Sequence, residues 1–154
     1  MRAIKTKGGF GKIPKAFACG MLEDEGRMLF LAKKDANGIE KATLPSVLVH
    51  SGRSPVAEIQ DEFLKQAGIE AQVEGVVFEW KHNYGTRRRK AFVPLLVFAL
   101  KARRMQAKPS PEFTGFRWIP ARHALLLDKR REIRLEKWVC GLLRKMLEAK
   151  KPLS

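Results

Sequence analysis

The sequence predicts a single α/β domain in which strands, a helix, further strands and a terminal helix follow one another. Apolar runs of strand length flank a segment with helix-start and helix-stop residues, and an apolar stripe at helical spacing closes the chain. Because 45% of the 154 residues are hydrophobic, the chain can bury a sizeable core without disulfides. We expect a basic, flexible or loosely docked arm over residues 1–15, the domain over residues 16–148 and a tail over residues 149–154.

The first two predicted strands form a hairpin. Residues 16–22 and residues 27–33 are rich in apolar side chains, and the acidic turn at residues 23–26 ends in a glycine. A loop containing Asn37 and Gly38 follows this hairpin. A further strand then leads into the helix.

The first predicted helix has clear signals at both of its ends. Ser54 is suited to cap the helix, and Pro55 fits the first turn, where its missing N–H costs nothing. Gly68 is suited to end it. The predicted apolar stripe of this helix consists of Val56, Ile59, Phe63 and Ala67.

Two long strands are predicted next, over residues 73–81 and residues 90–100. Pro94 cannot donate a ladder hydrogen bond, so we expect an edge position or a bulge in the second of them. A short strand is predicted to end at residues 118–119, ahead of a proline. The apolar stripe of the terminal helix, which we expect to face the core, consists of Leu135, Trp138, Val139, Leu142, Leu143, Met146 and Leu147.

The charge of the chain is strongly positive. There are 31 Lys and Arg residues against 16 Asp and Glu residues, which gives +15 at pH 7. A field of this sign attracts polyanions without selecting among them. Cys19 and Cys140 are expected to be reduced thiols, and no long apolar run or signal peptide is visible. We therefore expect a cytoplasmic protein with no membrane partner.

Residues 44–70, LPSVLVHSGRSPVAEIQDEFLKQAGIE, carry a recognisable outline. They resemble the Nudix box, the signature of a family that cleaves nucleoside diphosphates linked to another moiety. The positions that match the box are Glu62, Phe63, Gly68 and Ile69, and those that depart from it are Val47, Arg53, Asp61, Lys65 and Gln66. The resemblance extends over roughly residues 15–147 and implies a Nudix-like alpha/beta/alpha sandwich with a mixed β-sheet between helices.

The departures remove most of the box carboxylates. Active members of the family present Glu at i, i+3 and i+4 on the box helix, where the carboxylates hold Mg²⁺ or Mn²⁺. Here the three positions are Glu62, Lys65 and Gln66. An ammonium repels a metal ion and can pair with the remaining carboxylate. The resemblance therefore implies a degenerate box whose hydrolysis is lost or much reduced.

Other acids offer alternative sites. Glu58, Asp61 and Glu62 repeat the i, i+3, i+4 spacing one turn earlier, so they are a candidate displaced metal site. The simpler alternative is that acids in the first turns are solvated and favoured by the helix dipole. Glu112 corresponds to a loop acid that can bind metal or act as a base in relatives. Glu62 and Glu112 are thus the candidate catalytic residues, although a loop acid is usually only solvated.

A basic cluster lies between the two long predicted strands. Lys81, Arg87 and Arg89 could bind phosphate groups, and Tyr84 offers a ring on which a base could stack. This arrangement predicts a site for a phosphate-bearing ligand or RNA. The alternative is a solvated hairpin tip that discourages edge pairing.

These patterns leave two main functional hypotheses open. The first is a protein with a degenerate box that binds a nucleotide, a nucleotide-linked metabolite or RNA with weak or no turnover, and that needs no cofactor. The second is an active hydrolase that uses Mg²⁺ or Mn²⁺ through Glu62 and neighbouring acids. A structural role in a ribonucleoprotein assembly is a third. Dimers are common in proteins resembling this family. The sequence leaves the oligomeric state open between a monomer and a homodimer.

Overall fold

The computed structural model describes residues 13–149. It contains eight strands and three helices over this range. The strands are β1 (Pro14–Asp24), β2 (Arg27–Lys34), β3 (Glu40–Thr43), β4 (Ser46–His50), β5 (Ala71–Asn83), β6 (Phe92–Ala102), β7 (Gly115–Ile119) and β8 (Arg134–Leu135). The helices are α1 (Pro55–Ala67), α2 (Ala121–Lys129) and α3 (Lys137–Ala149).

The sheet is built around β1 and β2, each of which pairs with three strands. The main part of β1 pairs antiparallel with β4 on one side and parallel with β6 on the other, and its end turns into β2. The continuous strand order is β5-β6-β1-β2-β3-β8, with β4 added to β1 and β7 added to β2. Because β1 with β6 and β3 with β8 are parallel pairs while the others are antiparallel, the sheet is mixed, as expected.

Helices cover both faces of this sheet. Ala18 and Leu22 of β1 belong to the core cluster that contains the buried residues of α1. Cys19 and Met21, which alternate with them, belong to the cluster formed with α2 and α3. Successive strand residues point to opposite faces. The expected sandwich of a mixed β-sheet between helices is therefore confirmed.

The predicted limits of α1 are also confirmed. The Ser54 hydroxyl accepts a hydrogen bond from the Ala57 N–H at 3.3 Å, and Pro55 opens the helix. At the other end Gly68 adopts a φ of 71° and donates its N–H to the Leu64 carbonyl at 2.9 Å. These contacts satisfy groups that a helix leaves unpaired at its ends.

The packing of α1 depends on a glycine in β1. Ile59, Phe63 and Ala67 are fully buried, but Val56 is 41% exposed, so the predicted stripe was wrong at its first position. A side chain at Gly20 would place its Cβ 2.9 Å from Phe63 Cδ1 and 2.6 Å from Leu100 Cδ1. The Phe63 ring therefore occupies the space that any larger β1 residue would need.

Pro94 pairs only with Lys81 of β5, because the first β6 residue paired with β1 is Leu95. The edge position expected for Pro94 is therefore found, although the rest of β6 lies between β5 and β1. Two other sequence expectations need correction. Leu135 belongs to β8 and not to the terminal helix. Residues 90 and 91 belong to the turn before β6, which begins at Phe92.

The ends of the domain differ slightly from the predicted limits. Pro14 and Lys15 of the predicted arm are part of β1, while residues 1–12 lie outside the described residues. At the other end α3 includes Ala149, and residues 150–154 also lie outside the described range. None of the helices between residues 13 and 149 is both long and apolar enough to cross a membrane.

Candidate functional site

The exposed face of α1 carries a hydrogen-bonded pair, Glu62 and Gln66. The Gln66 Nε2 group donates to Glu62 Oε2 at 2.6 Å and to the Ser46 carbonyl at 2.8 Å. An amide NH₂ has two hydrogens, so this one group uses both of its donors. Because Ser46 is the first residue of β4, Gln66 links the helix to the sheet while it holds the carboxylate.

Lys65 engages the second oxygen of the same carboxylate. Its Nζ lies 3.5 Å from Glu62 Oε1, as the sequence suggested. The Lys65 side chain is 73% exposed and the Glu62 side chain 24% exposed. A pair of this kind contributes about 0–1 kcal/mol to stability. The pair matters more for metal binding than for stability, because the Lys65 ammonium places a positive charge where a cation would have to bind.

The donor set at the box positions does not fit a divalent metal. A hard cation prefers several oxygen ligands, and these three positions supply one carboxylate, one ammonium and one amide whose NH₂ group donates to the carboxylate and to the Ser46 carbonyl. No three His, Cys, Asp or Glu side chains within residues 13–149 are grouped so that they could hold a metal ion. Glu58 is half-buried and Asp61 exposed, and a metal site at Glu58, Asp61 and Glu62 stays a prediction.

Glu112 lies in the loop between β6 and β7, which is attached to the end of α1. The Lys108 N–H donates to the Ala67 carbonyl at 2.7 Å, and the Ser110 N–H donates to the Gln66 carbonyl at 3.0 Å. The exposed Glu112 carboxylate accepts from the Ser110 hydroxyl at 3.3 Å. The loop thus holds Glu112 near the end of the box helix, and its catalytic role is untested.

The basic cluster forms an ordered turn between β5 and β6. Asn83 Oδ1 accepts from the N–H groups of Gly85 and Ala91 at 3.0 and 2.9 Å. The Thr86 hydroxyl oxygen accepts from the Arg89 N–H at 2.8 Å. Together with the backbone hydrogen bonds from the Tyr84 N–H to the Ala91 carbonyl and from the Thr86 N–H to the Arg89 carbonyl, these side-chain contacts within the turn shape it.

The predicted ligand-binding side chains lie on this turn and on the adjoining end of β5. Arg87 and Arg89 are exposed, and Tyr84 is 42% exposed. The Lys81 ammonium lies 5.2 Å from the centre of the Phe92 ring, a cation–π distance. The structure brings these residues to one tip.

The tip is far from the end of the box helix. Asn83 pairs with Phe92 beside the tip, whereas Ala71 pairs with Ala102 at the other end of the same ladder. A 13-residue strand such as β5 spans about 40 Å. Glu112 and the tip therefore belong to different ends of the domain.

The carboxyl group with a lowered pKa lies away from the box. Glu40 on β3 forms a bidentate pair with Arg117 on β7, with an Nη2–Oε1 distance of 2.9 Å. The hydrogen bond from Arg117 is the main cause of the lowered pKa of Glu40, and it raises the pKa of Arg117 in turn. This pair spans β2 and has a structural role.

The sequence patterns did not predict a basic groove beside the end of α1. Residues 101–108 read KARRMQAK, a run with four cations and no acid. This run was the sequence signal that could have indicated a basic site. In the structure this run, the end of α1 and the start of β5 enclose a groove of about 1190 Å³. The residues that line it are Leu64, Gly68, Ile69, Glu70, Gln72, Lys101, Ala102, Arg103, Arg104, Gln106, Ala107 and Lys108.

The fold is similar to that of solved proteins over almost the whole chain. The Escherichia coli ORF135 protein matches with a TM-score of 0.64 at 17% identity, covering 94% of this chain and 98% of its own. A MutT protein from Methanosarcina mazei Go1 has a TM-score of 0.64 at 16% identity, with 91% and 99% covered. A Nudix hydrolase from Nitrosomonas europaea has a TM-score of 0.64 at 13% identity, with 90% and 91% covered.

These likenesses define an α/β protein with an alpha/beta/alpha sandwich whose box helix lies against a mixed sheet. The chain has the Nudix fold, as the resemblance in residues 44–70 implied. No protein-family model and no curated protein sequence matches it. At identities of 13–17% the similarity describes the fold, and the chemistry has to be argued from this chain's own residues.

Proposed function

We propose that this Nudix-fold protein binds a nucleotide or nucleotide-linked polyanion and turns it over weakly or not at all. The observation that carries the proposal is the Glu62 carboxylate, which receives a hydrogen bond from Gln66 on one oxygen and the Lys65 ammonium on the other. The box helix is intact as a structural element. Its one remaining catalytic carboxylate is engaged by donors of this chain.

The weak turnover follows from the competition at Glu62. A cation would have to displace the Gln66 N–H at 2.6 Å and approach against the charge of Lys65. It would gain one anionic ligand in return, whereas hard cations in proteins bind through several oxygens. The Ser46 carbonyl also accepts from the Gln66 amide, and this second hydrogen bond holds the donor in place beside the carboxylate.

The charge of the protein supports a polyanionic ligand. The net charge of +15 favours encounter with phosphate-bearing molecules of any kind. At the tip, Arg87 and Arg89 would donate to phosphate oxygens, Lys81 would add a third cation, and the exposed Tyr84 ring would stack on a base. The hydrogen bonds around Asn83 fix the turn in advance, which lowers the ordering cost of binding.

Binding and cleavage should be measured separately on one panel of nucleoside diphosphate derivatives. We expect calorimetry without metal to detect binding, and the double variant Arg87→Gln with Arg89→Gln to weaken it by about tenfold or more, the scale of one charge-assisted hydrogen bond. The matched control is Arg122→Gln with Arg144→Gln, which removes two exposed arginines on α2 and α3. With Mg²⁺ or Mn²⁺ added, product release should stay at background.

The second hypothesis, an active hydrolase, predicts the opposite result. Metal-dependent cleavage that disappears in Glu62→Gln would establish it, and variants of Glu58, Asp61 and Glu112 would then locate the supporting acids. Absence of binding to every nucleotide tested would overturn the proposal. Equal weakening in the tip variant and its control would assign the affinity to net charge and not to the tip.

A further inference from the structure

The groove at the end of α1 is open and strongly basic. Its rim contains Lys101, Arg103, Arg104 and Lys108, all exposed, against the single acid Glu70. Among the ion pairs formed within residues 13–149, none includes any of these four cations. Four positive charges thus face one groove, and among residues 13–149 only the Glu70 carboxylate at the groove offsets them.

The wall of the groove is held firmly in place. A Cβ at Gly68 would lie 2.4 Å from the Lys108 carbonyl oxygen, so the loop backbone packs directly against the helix end. The Lys108 and Ser110 N–H groups donate to the Ala67 and Gln66 carbonyls. These bonds satisfy carbonyls at the negative end of the helix dipole, which would otherwise oppose an anion in the groove.

The shape and chemistry of the groove suit a chain of phosphates. A volume of about 1190 Å³ is far larger than one phosphate needs, and four cations along one rim match a ligand with repeated charges. The residues between 13 and 149 that line the groove include no aromatic side chain, so they offer no platform for stacking bases. Gln72 and Gln106 add neutral donors and acceptors suited to sugar hydroxyl and phosphate oxygens.

We propose that this groove binds the phosphodiester backbone of a single-stranded nucleic acid without selecting its bases. The site is separate from the tip, because Ala71 and Ala102 beside the groove and Asn83 and Phe92 beside the tip lie at opposite ends of one ladder. It does not depend on nucleotide binding by the tip or on the state of Glu62.

Salt dependence of binding to labelled oligouridylate and oligoadenylate tests this inference. Neutralising about four phosphates gives a slope of log affinity against log salt of about −2.8, or a loss of about 50-fold between about 50 and about 200 mM salt. The variant Arg103→Gln with Arg104→Gln should reduce the slope to about −1.4. Both arginines are exposed, so the folded domain should be retained, which circular dichroism would check.

The control is again Arg122→Gln with Arg144→Gln, which removes the same total charge from the opposite face of the sheet. It should keep the slope near its original value. An equal reduction of the slope in both variants would show that net charge alone binds the oligonucleotide. An unchanged slope in the groove variant would show that the oligonucleotide binds elsewhere. Either result overturns the proposal. A preference of more than about tenfold between the two homopolymers would also overturn it, since one wrong base typically costs about 1–3 kcal/mol where bases are read.

Discussion

Gln66 donates its side-chain amide to the Glu62 carboxylate over 2.6 Å, one helical turn away. The box pattern that residues 44–70 resemble has a carboxylate at this position, whereas Gln66 supplies a hydrogen-bond donor to Glu62. The same amide contacts Ser46 on β4. The Gln66 side chain is therefore part of the contact between helix and sheet.

Placing two carboxylates beside Glu62 should make stability depend on metal. Lys65→Glu with Gln66→Glu removes the Gln66 hydrogen bonds and places three acids on one face, so we expect a loss of about 1–3 kcal/mol in the presence of a chelator. A cation that binds only the folded state should return part of this stability. Thermal unfolding with and without Mn²⁺ measures both effects.

The matched control is Gln66→Ala, which removes the same donors without adding charge. It should lose stability and show no recovery with Mn²⁺. Equal stabilisation of the unmodified protein and the double variant by Mn²⁺ would mean that Glu62 is available to metal despite Gln66 and Lys65.

Gly68 and Gly141 should respond in opposite directions to the same substitution. Gly68→Ala places a side chain at a φ of 71° and against the Lys108 backbone, so we expect a loss of about 1–3 kcal/mol. Gly141 lies within α3 and has open space around it, so Gly141→Ala should gain about 0.5–1 kcal/mol from helix propensity. Urea unfolding of both variants would check this, and equal effects would contradict the packing of the loop on α1.

His82 should make the domain less stable in mild acid. Its ring stacks on Phe17 with centroids 3.8 Å apart, and burial lowers its pKa although Glu136 opposes the shift. The folded protein therefore binds this proton less readily than the unfolded chain. The stabilisation is complete above the unfolded pKa of about 6.5 and is lost as the pH falls through the lower folded pKa.

The variant His82→Phe keeps an aromatic ring beside Phe17 and Trp138 but cannot titrate. Denaturant unfolding across the mildly acidic range should show a flatter pH profile for this variant than for the unmodified protein. An unchanged profile would assign the acid sensitivity to other groups.

The two thiols should differ in reactivity in the folded protein. Burial raises the pKa of Cys19, which is fully inaccessible, so a thiol reagent should reach it only after unfolding. Burial also raises the pKa of the half-buried Cys140, and its Sγ lies 3.6 Å from Asp128 Oδ2. We therefore expect slow labelling of Cys140 in the native protein. The labelling rate of Cys140 should be higher in Asp128→Asn, because that variant removes the nearby negative charge. Rapid labelling of both thiols in the native protein would refute this assignment.

Local chemistry explains why much of the fold could be predicted. The cap at Ser54 and the stop at Gly68 depend on neighbouring residues, and both were found where the sequence placed them. The turn after β1 likewise follows from Glu25 and Gly26, whose φ values are 54° and 79°. Such features are set within a few residues of the chain.

Features that depend on distant partners could not be predicted in this way. Pro94 predicted a position with one neighbouring strand, but the strand that stops short of it, β1, lies far away in the sequence and could not be named from residues near 94. The basic groove needs the end of α1 and the run at residues 101–108 to meet. In the box, by contrast, the Lys65 contact with Glu62 was predicted because both residues lie on one helix.

The parallel pairing of β1 with β6 also constrains the order in which the chain can fold. Phe17 is paired with Leu95 and Leu22 with Leu100, so the two strands are separated by most of the domain's sequence. Contacts of this range require closure of a long loop before they return any stability, which slows folding. During synthesis, β1 can meet β2 and β4 early, but it waits for residues up to Ala102 to leave the ribosome before its second side is covered.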